Sequence, residues 1–366
     1  MKKSTLKKII AVYSNLPSGG ANVLRELTNK FLGKNFKTIQ ILEPEYKISN
    51  VFKYLYTSLI LSPIIQRRLV KNLHFDLLIV HHSWLVKNPN ILRYTNQPKL
   101  YFCHDVLREY YDLDHIYQQS FKDRIINIIR LPIKWLNFIN VRAKNITIIA
   151  NSNYSKKIID KSYGVNSIVV YPGIITKKYY PQANLKKKNQ VIMISSINKI
   201  KRQHFLVEVI SKIHKSLRPD LVLVGNGYND QYLKYIVNNA RKLKVNLIIK
   251  INISDIEKRL IMHESKAFLY APVSEPFGLV IEEAIAAGLP VVAYKKGGGY
   301  AELITNNNGQ IINNLDALDW SKQLARLISD EKRMRKIMRY NLKFAAEKLD
   351  VKYMYAQIIK LINKIL

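Results

Sequence analysis

The sequence holds one cysteine, Cys103, in 366 residues. A single thiol excludes an intramolecular disulfide and any zinc site built on several cysteines, and it suits a reducing compartment. Cys103 itself reads as a small buried strand residue. Acidic side chains are scarce: 26 Asp and Glu stand against 59 Lys and Arg, leaving a formal net charge of +33. Long apolar runs are missing as well. The longest, Leu55 to Ile65, is interrupted by Tyr, Thr, Ser and Pro and falls short of the ~20 residues a spanning helix needs. The opening Met1-Lys-Lys-Ser-Thr-Leu-Lys-Lys8 leads into Ile9 to Tyr13, too short an apolar stretch for a signal peptide and better read as a first strand. These absences predict a chain that does not cross a membrane and works in the cytoplasm, with the cytoplasmic membrane face as the alternative placement.

Several motifs are also absent. There is no G-x-G-x-x-G, no Walker lysine, no zinc-finger spacing, no basic-region heptad and no glycine-aromatic RNA-binding signature. The positive charge is spread along the whole chain rather than gathered into one run, so nucleic acid is not the expected partner. An anionic membrane surface and a compositional bias without function both remain as explanations of the charge.

What is present is enough to fold. Hydrophobic residues make up 48% of the chain, with only 13 Gly and 12 Pro, so both halves can bury a core. The length fits two domains of roughly 150 to 200 residues, and two domains imply a cleft. Short apolar runs recur with helical patterns between them: Ile9 to Tyr13, Thr38 to Leu42, Leu77 to Val80, Leu100 to Cys103 and Ile146 to Ala150. A second series follows the lysine-rich stretch Lys177 to Lys188: Val191 to Ser195, Leu221 to Val224, Leu247 to Ile251, Ala267 to Tyr270 and Val291 to Ala293. Strand alternating with helix predicts an α/β protein with two parallel sheets, joined near Pro181. From Trp320 to the end the spacing of Leu324, Leu327, Ile328, Ile337, Met354 and Ile358 predicts helices.

In such sheets ligands bind outside the carboxyl ends of the strands, and that is where the informative residues fall. After the first predicted strand come Gly19 and Gly20, leading into a helical run; a glycine pair lets backbone approach a phosphate at a helix N-terminus, though a tight turn has the same composition. The segment Tyr270-Ala-Pro-Val-Ser-Glu275-Pro-Phe-Gly-Leu-Val-Ile-Glu-Glu283-Ala-Ile-Ala-Ala-Gly288 reads as strand, loop, helix and glycine stop. Gly278 permits close approach, the free amides of Gly278 and Leu279 can face a diphosphate, and Glu275 and Glu283 bracket that anion site. A carboxylate accepts well from vicinal hydroxyls, so one glutamate can hold a sugar and the other a ribose. Glu282, turned away on the helix, reads as a solvated surface charge.

This segment resembles the E-x7-E signature of the retaining, GT-B-fold group 1 glycosyltransferases. Further islands fall in that family's order: Gly19-Gly20, Tyr101-Phe-Cys-His104-Asp, Ala150-Asn151-Ser152, Tyr171-Pro172-Gly173, Gly225-Asn-Gly227, and Gly297-Gly298-Gly299 with Glu302. The resemblance implies a Rossmann-like acceptor domain over 1–180, a Rossmann-like nucleotide-sugar domain over 181–345, and a terminal helix over 346–366 crossing back to the first. It implies that Glu283 binds ribose hydroxyls, that Glu275 and His104 contact the donor sugar, and that Gly20, Gly225, Phe277, Gly278 and Leu279 line the donor. The implied reaction retains anomeric configuration, and the protein's main task is to stabilise leaving-group charge.

The chain departs from the family where that task is performed. In Ser195-Ser196-Ile-Asn-Lys199-Ile-Lys201-Arg202, Lys201 fits the family's lysine slot, but Ser196 stands where an arginine is expected. Lys199 and Arg202 are secondary candidates to replace it, Lys199 as a point charge without the bidentate fork. Asp112-Leu-Asp114 has the form of a metal-binding D-x-D of a different fold, and is read here as an acidic turn. No metal and no cofactor is expected; the donor is a substrate. The cluster after Tyr101 and the segment Ser196-Ile-Asn-Lys are similar to those of mannosyltransferases that build lipid-linked oligosaccharides or polysaccharides, which favours GDP-mannose over UDP-glucose as donor and a glycan or lipid-linked acceptor. Lys122 to Arg142 mixes apolar faces with basic residues and Trp135, a pattern that fits both an anionic membrane interface and a helix pair packed on the sheet. The alternative to an enzyme is a basic-surface binder of nucleic acid or membrane that keeps the fold without transfer.

Overall fold

The computed structural model describes residues 8–16, 19–111, 121–181 and 186–366. Asp112-Leu-Asp114 therefore lies outside the described residues, as does part of the stretch from Lys177 to Lys188. The chain divides into two compact units, one comprising Met1–Pro172 with Met354–Leu366, the other Gly173–Tyr353.

The first unit is built on β1 (Ile9–Asn15), β2 (Lys37–Leu42), β3 (Leu77–Ser83), β4 (Lys99–Phe102), β5 (Ile146–Ala150) and β6 (Ile168–Val169), in the spatial order β2-β1-β3-β4-β5-β6. Every pairing is parallel. All seven residues of β3 are buried while β2 at the edge is largely not, as expected where central strands are covered on both faces. Side chains of Ala11, Tyr13, Leu78, Val80, Tyr101 and Ile148 fill one core against the helix Asn153–Tyr163. That helix begins where the Ser152 hydroxyl accepts from the Ser155 amide at 3.0 Å and ends on left-handed Gly164, so the Ala150-Asn151-Ser152 island includes a helix cap. The last helix, Val351–Ile365, contributes Tyr355 to this unit: its ring stacks on Phe31 at 4.0 Å and its hydroxyl donates to the Leu27 carbonyl at 2.9 Å.

The second unit carries β7 (Gln190–Ile194), β8 (Asp220–Gly225), β9 (Leu247–Ile251), β10 (Ala267–Tyr270), β11 (Val291–Tyr294) and β12 (Gly309–Ile312), ordered β12-β11-β10-β7-β8-β9, again all parallel. The chain runs outward from β7 through β8 to β9, then returns to β10 on the other side of β7. The order reverses between β7 and β10, and the space outside the carboxyl ends of those two strands is the topological switch point. Trp320, fully buried, meets Phe205 edge-on at 5.2 Å and donates from Nε1 to the Asn314 carbonyl at 2.9 Å. Gly173 to Tyr179 belongs here: Ile174 pairs with Asp350, and a Cβ on Gly173 would lie 2.7 Å from the Val351 Cα.

All ten strands expected from the apolar runs form. The two that were not expected, β6 and β12, are short edge strands of two and four residues. The run Leu55 to Ile65 is helical and interrupted by a π-turn at Thr57–Leu61; among the described residues no helix is long and apolar enough to cross a membrane.

Candidate functional site

The two loops leaving the switch point of the second unit carry most of the residues singled out from the sequence. After β7, Asn198 accepts from the Lys201 amide and closes the turn Lys199–Lys201, and Arg202 then takes a left-handed conformation before the helix Gln203–Ser211. After β10, Ser274 is left-handed, Glu275 follows, and Gly278 with φ +84° sets the start of the helix Leu279–Ala286. Neighbours crowd a Cβ at Gly278 only at 3.4 Å or more, so the backbone angle, not space, demands glycine there. The Val273 amide donates to the Ile200 carbonyl at 3.2 Å and ties the two loops together.

Glu275 is held from two directions. Its amide donates to the Gly297 carbonyl and its carbonyl accepts from the Gly299 amide, both at 2.9 Å. A Cβ on Gly298 would sit 2.0 Å from the Glu275 carbonyl oxygen, so no side chain fits at that position. Its carboxylate forms an ion pair with Lys201, the two side chains being 15% and 19% exposed. The β7 loop and the β10 loop thus bring opposite charges together at one strand end, where both remain reachable from solvent.

Glu283 lies farther along the same helix. One carboxylate oxygen accepts from the Tyr179 hydroxyl at 2.8 Å and the other from Lys258 Nζ at 3.0 Å. Lys258, on the helix Asp255–Glu264, also pairs with Asp255 at 3.0 Å and lies over the Tyr179 ring. Burial opposes the charge on Lys258, yet Glu283 and Asp255 outweigh it and raise its pKa, so it stays an ammonium. Burial together with the Glu283 carboxylate raises the Tyr179 phenol, which remains a donor. Lys258 and Tyr179 were not anticipated: nothing in the sequence distinguishes this lysine among so many, and Tyr179 lies about one hundred residues from its partner.

Glu282 corrects the expectation of a solvated surface charge. The helix Leu279–Ala286 packs against the helix Glu331–Phe344, the turn Ala345–Leu349 and Gly299–Leu303, so its side away from Glu283 faces protein. Glu282 is fully buried and neither carboxyl oxygen has a hydrogen-bond partner among the described residues. Burial first, then the neighbouring Glu283 charge, pushes its pKa well above the ordinary glutamate value and favours the neutral acid.

The remaining candidates divide. Ser196 and Lys199 are exposed; the Arg202 guanidinium lies 6.0 Å from the Tyr294 ring centre. Gly225 is buried at the end of β8, and a Cβ there would come within 2.7 Å of the Ser195 carbonyl oxygen, so packing accounts for this glycine. Phe277 is a core side chain, leaving its backbone as the part that can meet a ligand. In the first unit Gly19 has φ +95° and precedes the helix Gly20–Asn35. His104, just after β4, is 6% exposed, and burial lowers its pKa to about 3, with Lys87 acting in the same direction. Its Nε2 lies 3.3 Å from Nδ1 of His81, on β3. Among the described residues no group of three or more His, Cys, Asp or Glu is placed to hold a metal ion.

Known proteins resemble this chain in sequence and in fold. Residues 176–344 match the family described as glycosyl transferases group 1. An alpha-1,3/1,6-mannosyltransferase of Kluyveromyces lactis is 25% identical over 216 residues, which is 48% of this chain and 42% of that protein. A GDP-Man:Man(3)GlcNAc(2)-PP-Dol alpha-1,2-mannosyltransferase of Mus musculus is 30% identical over 131 residues, 34% of this chain and 25% of that one. The chain thus spans less than half the length of these two relatives. Sucrose-phosphate synthase from Thermosynechococcus elongatus has the same fold at a TM-score of 0.77 and 15% identity, over 98% of this chain and 99% of its own. HepE of Anabaena in complex with UDP-glucose superposes at 0.74 and 18% identity, over 98% and 100%. Two Rossmann-like units of six parallel strands make this the GT-B fold, and residues 176–344 within it are similar in sequence to the group 1 glycosyl transferases.

Proposed function

We propose that the chain is a retaining glycosyltransferase that moves a hexose from a nucleotide sugar, GDP-mannose rather than UDP-glucose, to a glycan or a lipid-linked oligosaccharide. The observation that carries this reading is the pair of glutamates at the β10 switch point, each tied to its own lysine: Glu275 to Lys201 and Glu283 to Lys258. In this reading Glu283 accepts from ribose hydroxyls and Glu275 from the sugar, while the amides at Phe277, Gly278 and Leu279 meet the diphosphate. Lys201 stabilises the charge that develops on the leaving nucleotide, with no metal required. In the first unit, Gly20 and His104 are the candidate donor contacts, His104 as a neutral imidazole. The mannosyltransferase relatives favour the GDP donor; the UDP-glucose bound in the Anabaena structure is the competing precedent.

The acceptor side of the reading rests on the first unit. On the helices Phe121–Ile129 and Leu131–Asn140, Phe121, Ile128 and Trp135 are 81%, 65% and 67% exposed, with Arg124 exposed among them. Large apolar side chains interleaved with cations suit an anionic bilayer interface, where a lipid-linked acceptor would lie.

Incubating purified protein with GDP-mannose, UDP-glucose and other nucleotide sugars and following nucleotide release tests the donor. Glu275→Ala and Glu283→Ala should each lower turnover by about 100-fold or more. A basic-surface binder without transfer would release no nucleotide from any donor, and its salt-dependent binding would survive both substitutions.

A further inference from the structure

Three histidines meet at the carboxyl ends of β3 and β4, and the proposed reaction uses only one of them. His81, His82 and His104 are 0%, 6% and 6% exposed. The His81 ring stacks on Phe102 at 4.8 Å and lies nearly parallel to the His104 ring, while His82 meets His104 edge-on at 5.2 Å. They do not converge on a common point suited to a metal. The close polar contact within the trio is His81 Nδ1 to His104 Nε2, 3.3 Å.

Burial lowers the pKa of all three rings, so each is neutral and holds one proton on one of two nitrogens. The His81–His104 contact then has two forms. If His104 donated from Nε2, His81 would carry its own proton on Nε2, and that atom is buried with no partner among the described residues. A buried N–H without an acceptor is rare in native proteins, whereas an under-used acceptor is better tolerated.

We infer that His81 is a positioning residue for His104: its Nδ1–H donates to His104 Nε2, and His104 therefore carries its proton on Nδ1 and presents a hydrogen-bond donor, not an acceptor, to a sugar hydroxyl. The inference rests on the proposed role of His104 for its catalytic consequence, but the tautomer itself does not. Phe102 fixes the plane of the His81 ring, and the His81 N–H fixes which nitrogen of His104 accepts.

The full chain, labelled with ¹⁵N-histidine, separates the two forms by long-range ¹⁵N–¹H NMR near neutral pH. His104 should show the Nδ1–H tautomer. His81→Phe keeps the stack on Phe102 and removes the donor; His104 should then lose its single tautomer, and kcat for GDP-mannose or UDP-glucose turnover should fall about 10- to 100-fold with KM changed little. His81→Asn places an amide N–H where Nδ1 was and should restore both the tautomer and most of the rate. An Nε2–H His104 in the unsubstituted chain overturns the inference, as does His81→Phe with tautomer and rate intact. Should His81→Phe fail to fold, His81→Asn decides, since a shift of His104 to Nε2–H there has the same force. A chain that turns over no nucleotide sugar counts against the transferase reading alone, because the tautomer is still read from the spectrum.

Discussion

Lys258 shows how much a single side chain adds to a recognised motif. Glu283 on its own would be a carboxylate at a helix; with Lys258 and Tyr179 on its two oxygens it is a carboxylate of fixed orientation. Both carboxylate oxygens retain a second lone pair for a ligand. Ser196 leaves the expected arginine slot without charge, and Lys258 is a cation that the motif did not disclose. Lys258→Met should weaken donor binding, raising KM about 10-fold or more with a smaller change in kcat, because a partly buried carboxylate loses its counter-charge. Steady-state kinetics with the preferred donor checks this, and an unchanged KM would remove Lys258 from the site. The glutamate spacing was legible in the sequence because it lies within one helix and its loop. Lys201 was legible by its slot, but not its pairing with Glu275, and Lys258 was not legible at all, since these partners arrive from the β7 loop and from the preceding helix and depend on which strands become neighbours.

At the scale of elements, the helix Leu279–Ala286 carries two adjacent glutamates of opposite character. Glu283 is ion-paired; Glu282 is buried and has no hydrogen-bond partner among the described residues. Because the folded state raises the pKa of Glu282, the native protein binds more protons there than the unfolded chain does above the ordinary glutamate pKa of about 4.3. Stability from this group is full below that value and falls as pH rises toward the folded pKa. Glu282→Leu should therefore stabilise the protein near pH 7, by about 1–3 kcal/mol, and flatten the decline above the ordinary glutamate range. Thermal unfolding across those pH values is the measurement, and a parallel pH curve would refute the assignment. The buried histidines act in the other sense: their lowered pKa values leave stability complete above about 6.5 and lost as pH falls below it. The glycine loop opposite Glu275 makes a third case. Gly298→Ala must displace the Glu275 backbone, so turnover should drop about 10- to 100-fold, a loss that Lys201, left in place, cannot repair. A Gly298→Ala chain with normal turnover would show that the loop tolerates the shift.

For the whole molecule the unusual quantity is charge. A net +33 on 366 residues makes any encounter with an anionic surface strongly dependent on salt. Together with the exposed Phe121, Ile128 and Trp135, it predicts flotation with anionic vesicles at low salt, weaker flotation at high salt, and little with neutral vesicles. Trp135→Ser combined with Phe121→Ser should reduce the salt-resistant part, each buried aromatic contributing roughly 1.5–3 kcal/mol. Equal binding to neutral and anionic vesicles would contradict the electrostatic share, and no binding to either would remove the membrane from the reading.

The sequence by itself determined the α/β class, ten of the strands, the helical C-terminal region, and the loop-helix segment with its two glutamates. These follow from apolar periodicity and from glycine and proline chemistry, which act within about twenty residues. Tertiary structure decided the rest. Sheet order put β7 beside β10 and so joined Lys201 to Glu275; helix packing turned Glu282 into the core; the pairing of β3 with β4 set His81 against His104. Each of these depends on contacts between segments far apart in the chain. Residue spacing cannot reveal them, because it fixes the face a side chain occupies on its own element and not what covers that face.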